Sequence, residues 1–231
     1  MINDKPFVNM SGCIHISSGL LEIPDTIQAR IDGSGPGGLV VVGKGGVLNI
    51  YGDHASQIVR HTLIEPDGRL LVSGCCASAY DTYINSGGVM DVVSGAGAFE
   101  IEVDGQLLLD SAAAGTVGHI HVNSGGYMLA SATWIDRLEI REGGTATLTS
   151  GTHVEIVEVR SGASCIVRSA SIASADVSSG GTLGLVNGTS TETFLHSGGV
   201  MTKAGRCKIH YQSISEVGGA VFKDYGDVEE D

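Results

Sequence analysis

The chain is poor in most of the residues that would announce a chemistry. Aromatic residues make up 5% of its 231 positions, so no core is built around large rings. Proline occurs 4 times, well under the usual ~5%. Basic residues number 13 against 26 acidic ones, a formal net charge of −13 that repels polyanions and argues against nucleic-acid binding. No apolar run approaches the ~18 residues of a membrane-spanning helix, so membrane insertion is not expected. The opening residues show no secretory leader pattern. Five cysteines (Cys13, Cys75, Cys76, Cys165, Cys207) form neither a fully paired set nor a C-x-x-C zinc pattern. Nucleophile-elbow, H-E-x-x-H and P-loop signatures are missing too. The one formal G-x-G-x-x-G match, Gly33 to Gly38, has no helix pattern behind it and contains Pro36, so it reads as a turn. No catalytic residue, cofactor or metal is expected.

What is abundant is glycine, 35 residues, in a chain that is still 42% hydrophobic. Much of it falls in a repeat. Anchored on the second residue of each Gly-Gly turn or its nearest equivalent, the series is Gly46, Gly68, Gly88, Gly105, Gly126, Gly144, Ala163, Gly181, Gly199 and Gly219. The mean spacing is near 19 residues. Four residues before the anchor stand Val42, Ile64, Ile84, Ile101, Val122, Ile140, Val159, Val177 and Leu195, with Ser215 breaking the row beside Ile214. Two and four residues after it stand further aliphatic rows, beginning Leu48 and Ile50 and ending in Val221 and Lys223. Apolar residues thus alternate at period two on both sides of a glycine turn, the pattern of two half-buried strands.

A strand–turn–strand unit this small cannot bury its apolar face alone, but stacked copies enclose a continuous core. The expected fold is therefore all-β: a right-handed parallel β-helix or solenoid of about ten coils, ~19 residues each, with coils one ladder spacing (~4.8 Å) apart. Residues 1–39 read as an N-terminal cap and irregular first coil, with a degenerate turn at Ser18-Gly19. Residues 40–222 are the repeat array and 223–231 an acidic tail. Lys203 and Lys223 in the inward rows suit a polar cap on an open sheet end.

The unit of aliphatic, polar, Ser-Gly-Gly and aliphatic alternation is clearest at Tyr83–Val92, Ile120–Ala130 and Ala175–Val186. It resembles the passenger repeats of AIDA-type autotransporter adhesins, over roughly residues 40–222. The resemblance implies a secreted bacterial surface protein that mediates self-association or attachment, with heptose on repeat serines in some members. By that analogy Ser86, Ser124, Ser179 and Ser197, which begin the Ser-Gly-Gly turns, are candidate O-glycosylation sites. A serine that bonds its local backbone also suits such a turn for conformational reasons alone. Partners would be sister molecules, so a homo-oligomer, or host and surface glycans or proteins. Surface or extracellular placement rests on the resemblance. With no leader or translocator barrel in the residues given, a cytoplasmic origin stays open.

β-Helices also host polysaccharide lyases and hydrolases, which gather carboxylates on adjacent coils. Two polar rows bear on this alternative. His61 and Asp81, seven before the anchor, would meet on neighbouring coils. Five before the anchor, Glu100, His121, Glu139, Glu158 and Asp176 form an acidic row suited to a cation or cationic partner, or to a plain solvated face. Arg141 and Arg160 lie near enough to offset its charge. Cys165 falls in an inward row as a small apolar residue, while Cys75-Cys76 and Cys207 read as unreactive loop thiols. Asn9 and Asn187 begin N-glycosylation sequons. The first reading is a non-catalytic surface or adhesion module acting through its side faces; a carbohydrate-active β-helix and a trimeric phage or injection-machine fibre segment are the alternatives.

Overall fold

The structure is a computed structural model describing residues 7–11, 14–17, 19–23, 28–32, 39–54, 56–111, 117–209, 214–216 and 219–225. Among these the regular structure is entirely β, a parallel β-solenoid of about nine turns with ~19 residues per turn. Among the described residues no helix is long and apolar enough to cross a membrane. Contacts divide the chain into two compact units, residues 1–118 and 119–231.

The first unit carries β1 (Phe7–Ser11), β2 (Ile14–Ile16), β3 (Gly19–Ile23), β4 (Gln28–Asp32), β5 (Val40–Val42), β6 (Gly46–Tyr51), β7 (Gln57–Ile64), β8 (Arg69–Ser73), β9 (Ala77–Ile84), β10 (Val89–Val93), β11 (Gly97–Val103) and β12 (Gln106–Asp110). Its two parallel ladders run β1-β4-β7-β9-β11, with β2-β5 joining at β7, and β3-β6-β8-β10-β12. β3 pairs with β6 in parallel register, and Gly19 lies opposite Gly46. Each long strand bends once, where two successive side chains face outward, as at Tyr80 and Asp81 between buried Ala79 and Thr82. Inside, Leu48, Leu70, Met90 and Leu107 stack in one row and Ile50, Val72, Val92 and Leu109 in another. All are fully buried or nearly so, and each such side chain contributes about 1.5–3 kcal/mol by leaving water.

The second unit contains β13 (Val117–Val122, from His119 on), β14 (Tyr127–Ser131), β15 (Trp134–Ile140), β16 (Thr145–Leu148), β17 (His153–Val159), β18 (Ser164–Arg168), β19 (Ser171–Val177), β20 (Thr182–Val186), β21 (Thr189–Leu195), β22 (Val200–Ala204), β23 (Lys208–Ile209), β24 (Ile214–Glu216) and β25 (Val221–Asp224). Its long-strand ladder is β13-β15-β17-β19-β21, followed by β23 and β24, and its short-strand ladder is β14-β16-β18-β20-β22-β25. Ile140, Val159, Val177 and Leu195 continue the aliphatic row in register. Cys165 lies in the inward row, fully buried, and desolvation pushes its thiol up to about 12.

Two turns depart from the expected alignment. At Gly105 the corner is Val103-Asp104-Gly105, two residues shorter than Ile84 to Gly88, because Val103 pairs with Ile84 and Gln106 with Val89. The aliphatic residue before that corner is Val103, not Ile101, and Ile101 pairs with Thr82. At the last turn Val221 pairs with Val200 and Glu216 with Leu195. The anchor there is Ala220, so the slip runs toward Glu216 and away from Ile214. Gly219 sits instead beneath Gly198, both at positive φ. Lys203 does occupy the inward row under Leu185, but Lys223 pairs with outward Thr202. Asp224 takes the place beneath Lys203 and forms an ion pair with it at 3.0 Å. Cys13, Ser18, Gly33–Gly38 and residues 226–231 of the acidic tail lie outside the described residues.

Candidate functional site

On the outward side of each long strand, the residue before the last inward one stands in a row along the ladder. In the second unit this register places Glu139 beside Glu158 and Glu158 beside Asp176. Carboxylates one ladder step (~4.8 Å) apart would repel. The repeat offsets this by placing arginines two residues on, over the same face. Arg160 donates from Nε to Glu139 Oε1 at 2.8 Å and pairs through its other arm with Glu158. Arg141 reaches Glu139 Oε2 at 3.2 Å and Asn123 Oδ1 at 3.0 Å. Arg137, two residues before Glu139, pairs with Glu158. His121 Nδ1 lies 2.9 Å from Glu139 Oε2, and His196 Nε2 lies 2.9 Å from Asp176 Oδ1.

The row is therefore a compensated ion-pair lattice rather than an open acidic strip. Burial by itself would raise the Glu139 carboxyl, but hydrogen bonds from Arg160 and His121, with the charges of Arg141 and Arg160, outweigh it and lower it to about 2. Arg160 is held further into its charged form, chiefly by its hydrogen bond to Glu139. A carboxyl ionised this firmly is unfit to act as a general acid at neutral pH. Among the described residues, no group of three or more His, Cys, Asp or Glu is placed to hold a metal ion.

Glu100 does not belong to this row. The shortened Gly105 corner moves it two places back: β11 pairs with β9 at Phe99–Tyr80 and Ile101–Thr82, which leaves Glu100 opposite Asp81 at the bend. Glu102 takes the position beside Tyr83. His61, Asp81 and Glu100 accordingly share the bend of three successive turns, each at positive φ. His61 Nε2 is 3.6 Å from Asp81 Oδ2, both side chains being about two-fifths exposed, too long for an oriented hydrogen bond. Beside this row Arg60 lies over the Tyr80 ring at 4.3 Å and Tyr80 stacks on Phe99 at 4.8 Å.

The four serines Ser86, Ser124, Ser179 and Ser197 all sit exposed at the first turn position. A Cβ built on the following turn's glycine would meet Ser124 Oγ at 2.7 Å from Gly143, and Ser179 Oγ at 2.7 Å from Gly198. The Ser124 and Ser179 hydroxyls thus rest against bare backbone. Ser161 occupies the same place in its turn, against Gly180, although Ala163 breaks the Gly-Gly pair there and hides it from the Ser-Gly-Gly pattern. The first glycine of its turn, Gly162, is the sequence signal that marks it. Together Ser161, Ser179 and Ser197 make a hydroxyl row over three successive turns. Asn187 of the second sequon accepts a hydrogen bond from the Arg206 amide at 2.8 Å and has positive φ. A shallow polar cleft of about 230 Å³ beside it is lined by Thr152, Ser169, Ser171 and Thr189.

Comparison with known proteins bears on the fold. No protein-family model matches the sequence, and no curated protein matches it. Among solved structures, the chain is similar to the crystal structure of a hyper-glycosylated fragment of TibA, residues 55–350, whose glycosylation is catalysed by TibC. The likeness has a TM-score of 0.58 at 18% identity and covers 95% of this chain and 100% of that one. It is a likeness of fold.

Proposed function

We propose that the chain is a non-catalytic, adhesin-like β-solenoid module of a bacterial surface, acting in self-association or attachment through its side faces. The observation that carries this reading is the lattice on the second unit's side face. Glu139, Glu158 and Asp176 each have an arginine or histidine beside them, so the face presents paired polar groups in fixed register, with the Glu139 carboxyl held well below its ordinary range. Groups repeated at one ladder spacing favour partners held by many weak contacts. The repeat's resemblance to AIDA-type passengers and the fold likeness to the TibA fragment support the same direction. The exposed hydroxyls of Ser86, Ser124, Ser179 and Ser197, together with Ser161, are its proposed O-glycosylation sites.

The test is display of the chain on bacterial cells that lack other adhesins, scored for cell–cell clumping and for adherence to host-cell and glycan surfaces. Clumping or adherence above empty-vector cells is expected, reduced by the double charge reversal Glu139→Lys with Glu158→Lys in a variant that keeps its β circular dichroism. Displayed, folded chain that neither clumps nor adheres would overturn the proposal. The carbohydrate-active alternative predicts that polysaccharide is cleaved and that His61→Ala or Asp81→Ala abolishes cleavage.

A further inference from the structure

Two thiols lie together at the end of a short strand in the first unit. β8 stops at Ser73, and Gly74, at φ +97°, turns the chain into Cys75 and Cys76. In an extended strand, successive side chains point to opposite faces. This turn instead brings both sulfurs to one backbone oxygen: Cys75 Sγ lies 3.4 Å and Cys76 Sγ 3.5 Å from Asp53 O. The two sulfurs are 3.6 Å apart, and both residues are exposed and outside any disulfide. The turn is fixed where it stands. The Cys76 amide donates to Gly52 O at 2.5 Å, and a Cβ at Gly74 would lie 2.4 Å from Asp53 Oδ1.

We propose that Cys75 and Cys76 are a redox-active vicinal dithiol, a modification site that closes to an intramolecular disulfide by exchange with a small-molecule disulfide of the glutathione type. One thiolate attacks the small disulfide, whose S–S bond breaks and releases one half as a thiolate. The neighbouring thiol gives its proton to solvent and attacks the mixed disulfide, expelling the second half. The two protein thiols are oxidised by two electrons, and one small disulfide is reduced to two thiols. Closure shortens the sulfur separation from 3.6 Å to the ~2.05 Å of a disulfide, and because adjacent Cα atoms stand only ~3.8 Å apart the eight-membered ring it makes strains the Cys75–Cys76 backbone. It also removes both S–H donors from Asp53 O, so the redox state is felt by the loop at Gly52–His54. Exposed, strained disulfides of this kind are the readily reduced ones, which makes the change reversible. The other described cysteines are less suited: Cys165 is fully buried, and Cys207 is half-buried with its Sγ 3.1 Å from Ala204 O.

The experiment incubates the native full chain with glutathione disulfide, quenches it by alkylation and maps the peptides by mass. The peptide carrying Cys75 and Cys76 is expected to become two hydrogens lighter, to resist alkylation until reduced, and to retain no glutathione. Cys76→Ser, and in a parallel arm Cys75→Ser, is expected to stop at the mixed disulfide and keep glutathione on the remaining cysteine. Phenylarsine oxide, which needs two neighbouring thiols, should bind the reduced wild type and lose binding in either variant. Wild-type chain that keeps glutathione without closing, links either residue to Cys13 or Cys207, or stays fully alkylatable would overturn the proposal.

Discussion

Thr62 and Thr82 face inward in register on β7 and β9, each with its Oγ1 buried and without a hydrogen-bond partner among the described residues. A buried hydroxyl left unpaired costs about 1–3 kcal/mol, and the next residue in that row, Ile101, carries none. Thr82→Val keeps the shape and removes the cost. It should raise thermal stability by about 1 kcal/mol, or roughly 2–4 °C in Tm for a chain of this size, read by circular dichroism. Glu139 works the other way, because its charge is stabilised in the folded chain. Its folded carboxyl, at about 2, lies below the ordinary 4.5, so the stability it contributes is complete above pH about 4.5 and is lost as pH falls toward about 2. Glu139→Gln should therefore cost about 1–3 kcal/mol at pH 7, discounted for partly exposed arginines, and almost nothing near pH 2. A gap between variant and wild type that persisted unchanged across that range would show that the loss lies in packing and not in charge. The carboxylate row and its arginines could be read from the sequence, since both recur at one spacing. His196 stands at the same repeat position as those arginines, three before the anchor, whereas Arg137 reaches Glu158 from seven before it and could not be read from that spacing.

At the level of the turn, the decisive unit is one serine on the next turn's glycine. Gly125 and Gly198 have nearly the same positive φ, about +80°, but a Cβ on Gly125 meets nothing within 4 Å, while one on Gly198 meets Ser179 Oγ at 2.7 Å. Gly125→Ala should then lose only the ~1 kcal/mol of a left-handed alanine. Gly198→Ala should lose about 1 kcal/mol more in chemical denaturation, and Ser179→Gly in the same chain should restore that excess. The misread turns follow from the same physics. An alternation of period two is blind to a shift of two, so Ile101 filled the row as well as Val103 does, and nothing local betrayed the shortened corner that carries Glu100 to the bend. At the last turn the left-handed row and the anchor row are adjacent and both usually glycine. Gly219 therefore fits the anchor spacing although Ala220 holds that place. Spacing reveals that a turn exists; only the pairing of its neighbours shows which residue of it carries the positive φ.

For the molecule as a whole, charge sets the terms on which copies can meet. With a net charge of −13, two identical chains repel at long range, and because the lattice on the second unit pairs its own acids and arginines internally, it offers few unpaired cations to draw a second copy in. Proposed self-association must therefore rest on short-range contacts opposed by a long-range field. Salt shortens that field from a reach of about 30 Å at 0.01 M to about 3 Å at 1 M, and it leaves close contacts much less affected. Sedimentation velocity across that range should show association increasing with sodium chloride. The double reversal Glu139→Lys with Glu158→Lys moves the net charge toward zero yet breaks the lattice, so its effect separates the two influences. If global repulsion alone governs, the variant associates more readily at low salt. If the intact lattice forms the contact, the variant stays monomeric at every salt concentration, as side-face self-association requires. Association of the wild type that weakens as salt rises would mean that copies meet through ion pairs formed between chains at other charges, and the internally paired face would then not be where they meet.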